Sequence, residues 1–597
     1  MYDQLLRYII RLNHWRKRHI SQTTFLIIAA AIVGTLGGLA SSILKRLTHL
    51  VANFLQNDLQ GQYKFYLYFF FPIIGLFLTV FYIRLFIRKH TFRQGIPPLI
   101  KSISKNRSRL DFHNAYSQII SSAITVGMGG SAGLESPAVS SGASIGSNIG
   151  RLFGLNYRET TLLLACGGAA GISGAFDSPI AGMVFAIEVL LPAFSIPAIT
   201  PLLISSAIAS VVSWMVYNRP LFHYVADGRI QDGFWYYILF GILAGFYTVY
   251  YGYMNELIHI TMRKFKNIYV KATIGGLALG LMVALFPALY GEGYITIQKL
   301  LDGDFNSLLS NSLFSNYSEY SWVLIIFATL SLFAKATASA VTLSSGGNGG
   351  MFGPSVVIGG LLGFIFAYTF NQLGFGHLDV THFMLAGMAA SVSGVMHAPL
   401  TGIFLSAEIT GGYALMVPLM IVAAIAYFIN KAIRKYSIYT KELAEEGELI
   451  DAENKDTSVL MQLRLKHLLE KDFVQLKPEE FPMQRKDDII HSTRTIFPVV
   501  NLNGKFLGIL TIEDLLEVIY TNDPAKINSL MVGDLVQPTQ DVIPVNMPMK
   551  EVMQLMDKKD IHILPVTGHN NTYLGFVTRE GVFNKYRQLL RKQNDLI

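Results

Sequence analysis

One cysteine, Cys166, is all the sequence has in 597 residues, which excludes an internal disulfide and a thiolate metal cluster. Its setting fits a small residue in a packed helix. Charge is scarce as well: Asp, Glu, Lys and Arg make up 15% of residues against 51% hydrophobic ones, with a mean hydropathy of +0.40. That balance excludes an ordinary soluble enzyme of this length and points to a bilayer. The basic N-terminus lacks a short apolar region with a small-residue cleavage site, so no signal peptide is read. The net charge of +8 comes without a strip of basic and aromatic residues, which sets nucleic acid aside. No His-x-x-x-His motif is found, so the sequence does not read as an enzyme, and no metal site or obligatory cofactor is expected.

What is present is apolar and interrupted. Runs such as "TTFLIIAAAIVGTLGGLASSIL" and "FYLYFFFPIIGLFLTVFYI" can cross the roughly 30 Å hydrocarbon core as helices, while many later runs are shorter and broken by Gly or Pro. Arg7, Arg11, Arg16, Lys17 and Arg18 place the N-terminus in the cytoplasm by the positive-inside bias. The composition changes once, near Lys441. Glu442 to Asp456 holds seven acids and one lysine, a solvated linker before a soluble region. The expected divisions are an N-terminal cytoplasmic helix over 1–23, a membrane domain over 24–440 in two repeats (about 24–218 and 235–440), a linker over 441–457, and two cytoplasmic units over 458–522 and 523–597.

The membrane part repeats. "AAGISGAFDSPIAGMVFAIEV" (Ala169 to Val189) returns as "AASVSGVMHAPLTGIFLSAEI" (Ala389 to Ile409), pairing Gly174 with Gly394, Pro179 with Pro399, and Glu188 with Glu408. Upstream, Pro137, Gly142 and Gly146 pair with Pro354, Gly359 and Gly363. Duplicated halves with Gly- and Pro-interrupted segments indicate a transporter-type inverted repeat whose site lies near the midplane. The stretches "GGSAGLESPAV" (Gly129 to Val139) and "GGNGGMFGPSV" (Gly346 to Val356) each read as a glycine turn followed by Pro in the first helical turn. Such starts leave free N–H groups at the positive end of the helix dipole. Two of them, after Gly133 and after Gly350, facing each other inside the protein would supply an anion site without a cation to hold the ion too tightly. Glu135 is the lone acid there: its carboxylate resembles the anion, can occupy the anion's site, and can carry a proton. Glu188 and Glu408 read as acids near helix ends that hydrogen-bond backbone.

These motifs resemble the CLC chloride channels and proton–chloride exchangers: "GLESP" at Gly133 to Pro137, "GMFGP" at Gly350 to Pro354, "GIP" at Gly95 to Pro97, the "SPIAGMVFAIE" block and "SIYTKEL" at Ser437 to Leu443. The resemblance implies an α-helical membrane protein of about eighteen helical segments per subunit. It also implies a homodimer in the lipid bilayer with a separate ion pathway in each subunit. Glu135 then matches the gating glutamate, the N–H groups of Met351 and Phe352 match donors to the central anion, and Tyr439 matches the inner tyrosine; Tyr436 is the alternative register. Gly95, Pro97, Pro137 and Pro354 shape the helix starts.

Two departures bear on activity. Gln94 stands where the family commonly has a serine that donates to the anion, which leaves the choice among chloride, nitrate, bromide and fluoride open. Val189 stands where family exchangers often carry a second acid, and it leans the reading toward channel-like or weakly proton-coupled conduction, with a coupled exchanger as the alternative. A reading from another class is a non-conducting, membrane-anchored nucleotide sensor.

The soluble region repeats too: "FPVVNLNGKFLGILTIEDLL" (Phe497 to Leu516) returns as "LPVTGHNNTYLGFVTREGVF" (Leu564 to Phe583), each reading strand, turn, strand, helix. It resembles a tandem pair of CBS domains, an α/β regulatory module. In that family Gly-x-x-Thr-x-x-Asp borders an adenine nucleotide. The first unit has Gly508, Thr511 and Asp514; the second has Thr578 but Gly581 in the acid's place, so one nucleotide per chain is the expectation.

Overall fold

The computed structural model describes residues 13–14, 16–57, 64–87, 94–191, 196–217, 233–317, 319–409, 411–446, 449, 463–520, 530–539 and 541–594. Arg7, Arg11, most of the acidic linker and the junction between the two soluble units lie outside the described residues. The chain divides into two compact units, residues 1–449 and 450–597.

The first unit is helical, and its two halves run through the same series. The first half holds α1 (Gln22–Asn57), α2 (Lys64–Phe86), α3 (Pro97–Lys105), α4 (Asn114–Gly127), α5 (Glu135–Leu152), α6 (Tyr157–Phe176), α7 (Pro179–Phe185, continued by a π turn over Ala186–Leu190) and α8 (Ile199–Val216). The second holds α9 (Phe234–Arg263), α10 (Ile268–Leu285), α11 (Tyr294–Leu301), α12 (Ser321–Ser344), α13 (Phe352–Gln372), α14 (Val380–Met396), α15 (Pro399–Ile409) and α16 (Met416–Ile433). Among the described residues, α1, α2, α8, α9, α10, α12, α13 and α16 are long and apolar enough to cross a membrane. Large side chains such as Leu50, Phe81, Trp214, Phe246 and Phe428 point outward, as a lipid-facing surface requires.

Glycine explains the tightest packing. A Cβ on Gly146 would lie 1.9 Å from the Leu163 carbonyl oxygen, and one on Gly363 would lie 2.0 Å from that of Phe383. The glycine stripes of α5 and α13 therefore let α6 and α14 lie backbone to backbone, as small residues do between membrane helices. The same positions do this in both halves, which is the structural form of the repeat. The halves meet through α2 against α10 and α7 against α15.

The seam between α7 and α15 is reciprocal. Glu188, in the π turn after α7, accepts from Leu400 N (3.0 Å) and Thr401 N (2.8 Å) at the start of α15. Glu408, at the end of α15, accepts from Ile180 N (2.9 Å) and Ala181 N (2.8 Å) at the start of α7. Each carboxylate thus satisfies orphan N–H groups at the positive end of a helix from the other half. Cys166 is buried in α6.

The acidic run expected to be linker from its first residues opens instead with a helix, α17 (Lys441–Glu445). Its Leu443 is buried, and Lys441 pairs with Glu256 at 2.6 Å; burying one leucine and matching one charge holds that turn to the helical unit.

The second unit is α/β. It comprises α18 (Lys486–Ile490), β1 (Ile496–Val500), β2 (Phe506–Thr511) and α19 (Ile512–Tyr520), then α20 (Val532–Leu535), β3 (Ile543–Pro544), α21 (Met549–Lys559), β4 (Ile563–Thr567), β5 (Tyr573–Thr578) and α22 (Arg579–Asn594). β1 pairs antiparallel with β2, β4 antiparallel with β5, and β3 parallel with β4. Phe497, Val499 and Leu510 fill the first core; Leu564, Val566 and Val577 fill the second.

Candidate functional site

Where the halves face each other, two helix starts touch. Gly133 N donates to Gly350 O and Gly350 N donates to Gly133 O, both at 2.9 Å. Leu134 and Met351 follow as N-caps of α5 and α13. A Cβ on Gly133 would lie 2.8 Å from Gly353 N, and one on Gly350 would lie 2.2 Å from Ser136 Oγ, so only glycine admits this approach. The loops behind are held by a second reciprocal pair: Asn348 N donates to Thr125 Oγ1 (2.9 Å) and Ser131 N to Thr342 Oγ1 (3.2 Å). Both helices therefore aim their positive ends at one buried region.

Glu135 is the first residue of α5, 2% exposed. Its carboxylate reaches across to the other half: Gly353 N donates to Oε2 at 3.1 Å and Tyr294 OH to Oε1 at 2.5 Å. It therefore sits at the N-terminus of α13, among donors that would equally receive an anion. Phe352, fully buried, closes one wall, its ring 5.6 Å from that of Phe176 and 5.9 Å from that of Phe185. Met351 is buried too, its sulfur accepting from Tyr251 OH at 3.0 Å.

Tyr439 is buried and turned toward Ser136 and Glu135. The hydroxyls of Tyr439 and Ser136 are both buried and lack a hydrogen bond of normal geometry. Tyr436 is half-buried with Lys435 over its ring. Two orphaned hydroxyls beside the first N–H groups of α13 are a donor set suited to an anion, with no cation required. Pro137 and Pro354 lie buried in the first turns of α5 and α13. Gly95 takes φ +76° ahead of Pro97, the first residue of α3, and Gln94, half-buried, precedes that turn. Val189 is half-buried in the π turn next to Glu188.

Four residues around this site escaped the sequence reading: Ser136, Tyr294, Glu292 and Lys335. Glu292 accepts from Leu134 N at 3.3 Å, at the start of α5. Lys335, fully buried in α12, donates to Gly291 O (2.9 Å) and Leu289 O (3.3 Å). A lone lysine inside the apolar "SLFAKATASAV" was a legible signal, because an ionisable residue within a membrane helix is costly unless it is used.

Residues 74–431 match the voltage gated chloride channel family. The chain belongs to the CLC family. Residues 483–521 and 529–587 match CBS domains. The H(+)/Cl(-) exchange transporter ClcA of Salmonella typhi is 28% identical over 454 residues, spanning 72% of this chain and 90% of that protein. The CLC fold is also that of a slow cyanobacterial Cl-/H+ antiporter (22% identity, TM-score 0.59, 70% of this chain and 97% of that one). A eukaryotic CLC transporter aligns over 94% of this chain and 99% of its own, at 19% identity and TM-score 0.59.

The CBS pair carries its own asymmetry. In the first unit Asp514 accepts from Thr511 N (2.8 Å), Thr511 Oγ1 (2.6 Å) and Gln537 Nε2 (2.6 Å). The second unit has Gly581 where the acid would be. There Glu470 takes over, accepting from Thr578 Oγ1 at 2.5 Å, while Gly581 N donates to Thr578 Oγ1 at 2.9 Å. Glu470 pairs with Phe576 as Gln537 pairs with Ile509, so the two occupy repeat-related places. The carboxylate beside Thr511 thus comes from a helix, and that beside Thr578 from a neighbouring segment. Arg494 holds Glu470 and Asp472, each at 2.7 Å, and its hydrogen bonds keep Asp472 below the usual carboxylate range. A cavity of about 630 Å³ opens beside Glu470, lined also by His467, Gly581, Lys585 and Arg587.

Proposed function

We propose that this CLC protein exchanges chloride for protons across the membrane. The observation that carries this is the Glu135 carboxylate lodged on Gly353 N at the start of α13, in the place of an anion. To let an anion in it must leave, and protonation is what releases it. Val189 leans the other way, toward channel-like conduction; the likeness to ClcA, an H(+)/Cl(-) exchange transporter matched over 72% of the chain, supports exchange, and a gate released by a proton fits it. Reconstitution in proteoliposomes with chloride and proton recorded together tests this. Chloride efflux accompanied by proton movement is expected; no efflux would favour the non-conducting sensor instead.

All parts of the site, both helix starts, Glu135 and Tyr439, come from one chain, which supports one pathway per subunit of a homodimer. The basic Arg16, Lys17 and Arg18 support a cytoplasmic N-terminus, with the CBS pair on the same side. Tyr439→Ala removes one neutral donor, worth roughly 0.5–1.5 kcal/mol, so anion affinity is expected to fall by about two- to twelvefold. Calorimetric titration with chloride checks it, and an effect from Tyr436→Ala alone would reverse the assignment.

The CBS pair is proposed to modulate transport by binding an adenine nucleotide. Both Thr511 and Thr578 keep a carboxylate, Asp514 and Glu470, so two sites per chain are proposed in place of one. Heat is expected on titrating ATP, ADP or AMP into the full-length protein, with the stoichiometry halved by Asp514→Ala. No heat would make the pair purely structural.

A further inference from the structure

The loops that lead into α3 and α11 are repeat partners, each turning on a positive-φ glycine, Gly95 (φ +76°) and Gly293 (φ +96°). In an inverted repeat they lie on opposite sides of the midplane. The first carries Gln94; the second carries Glu292 and Tyr294. Glu292 does for α5 what Glu135 does for α13: it takes a backbone N–H at the helix start, Leu134 N at 3.3 Å. The two carboxylates thus lie crosswise on the two facing helix starts.

Charge does not balance there if every acid is ionised. Glu292 is in electrostatic contact with Glu135 on α5, Lys45 on α1 and Lys335 on α12. Tyr294 on α11 and Tyr439 add hydroxyls, and Lys45 also faces Asp177 at 3.7 Å. Three carboxyl groups, Glu135, Glu292 and Asp177, meet two ammonium groups, Lys45 and Lys335. Full ionisation leaves one uncompensated negative charge in an apolar surround, and one proton removes it. Asp177 has its own partner in Lys45, so the proton belongs to the Glu135 and Glu292 pair.

We propose that Glu292 is a second proton-carrying residue of the transport cycle, holding the proton that Glu135 takes as its carboxylate is released from Gly353 and an anion enters. In that step the O–H bond of the Glu292 carboxyl breaks and one forms on Glu135. The pair keeps a net charge of −1 during this transfer. The new Glu292 carboxylate is stabilised by Leu134 N–H and Lys335, and it regains a proton from the aqueous phase on the side of the loop into α11. Lys335, fixed by the Gly291 and Leu289 carbonyls, is the positioning residue that biases where the proton rests. This inference rests on the exchange reading.

Glu292→Gln and Glu292→Asp in proteoliposomes test it, with chloride and proton fluxes recorded together. Glu292→Gln is expected to lower proton movement per chloride at least tenfold while chloride flux stays measurable, and Glu292→Asp to restore most of it. Lys335→Gln, an independent variant, is expected to move the pH of half-maximal chloride flux upward by at least one unit, because losing a cation favours the protonated pair. A coupled parent with unchanged proton-to-chloride ratio in Glu292→Gln, or an unmoved pH profile in Lys335→Gln, overturns the role of Glu292 and leaves exchange standing. A parent that moves chloride without protons overturns both.

Discussion

Glu135→Gln is expected to conduct anions at least as fast as the parent, to lose the dependence of that flux on pH, and to move no protons. The carboxylate is anchored by Gly353 N–H and the Tyr294 hydroxyl. A hydrogen bond to a charged group is worth roughly 1.5–3 kcal/mol, against roughly 0.5–1.5 for a neutral one. Replacing the charge by an amide therefore weakens the gate's hold on α13 by about 1–2 kcal/mol, or roughly fivefold to thirtyfold in its equilibrium with an incoming anion. The amide cannot take up and release a proton in the working pH range, so the pH dependence disappears with it. Chloride flux from liposomes between about pH 5 and pH 8 measures this. A variant whose flux still varies with pH as the parent's does would remove Glu135 from the gating role.

The second large effect is on stability, at the seam between α7 and α15. Glu188→Ala leaves the N–H groups of Leu400 and Thr401 and the Thr401 hydroxyl without the acceptor they share. Glu408→Ala does the same to Ile180 and Ala181. A fully buried donor left unsatisfied costs roughly 1–3 kcal/mol; these are at most part-buried, so each variant is expected to lose about 1–3 kcal/mol. The double variant is expected not to assemble. The Gln variants keep an acceptor oxygen and lose less, which separates capping from proton transfer. Thermal unfolding of the purified protein in detergent checks the order parent, Gln, Ala; an Ala variant as stable as the parent would mean that the seam is held by other contacts.

Much of this architecture was legible because it is written twice. The glycine spacing that forces α5 onto α6 recurs at α13 and α14, and the Gly-x-x-x-Pro starts recur at Gly133 and Gly350, so a periodic pattern stood out from one sequence. The pairing of Glu188 with Glu408 signalled a structural role for the same reason, although nothing in one strand of text says that each acid caps the other half's helix. Residues without a repeat partner of like chemistry were harder. Lys335 stands alone in an apolar run, and Glu292 lies in the unremarkable "YGEGY"; what joins them to Glu135 is the folding of α11 and α12 against α13, whose first turn the Glu135 carboxylate reaches, a long-range matter. In the CBS pair, Gly581 read as a lost site. Thr578 nonetheless has a carboxylate beside it, that of Glu470, which lies more than a hundred residues earlier in the chain and is brought there by the pairing of its segment with β5.

The most direct test of coupled exchange uses liposomes with the voltage clamped near zero by a potassium ionophore, equal chloride on both sides and an imposed pH gradient. Exchange predicts that the proton gradient drives chloride uphill, accumulating it on one side, and that Glu135→Gln abolishes the accumulation. Chloride that stays at equilibrium under the pH gradient, while flowing freely down a gradient of its own, would contradict exchange and make the protein a channel.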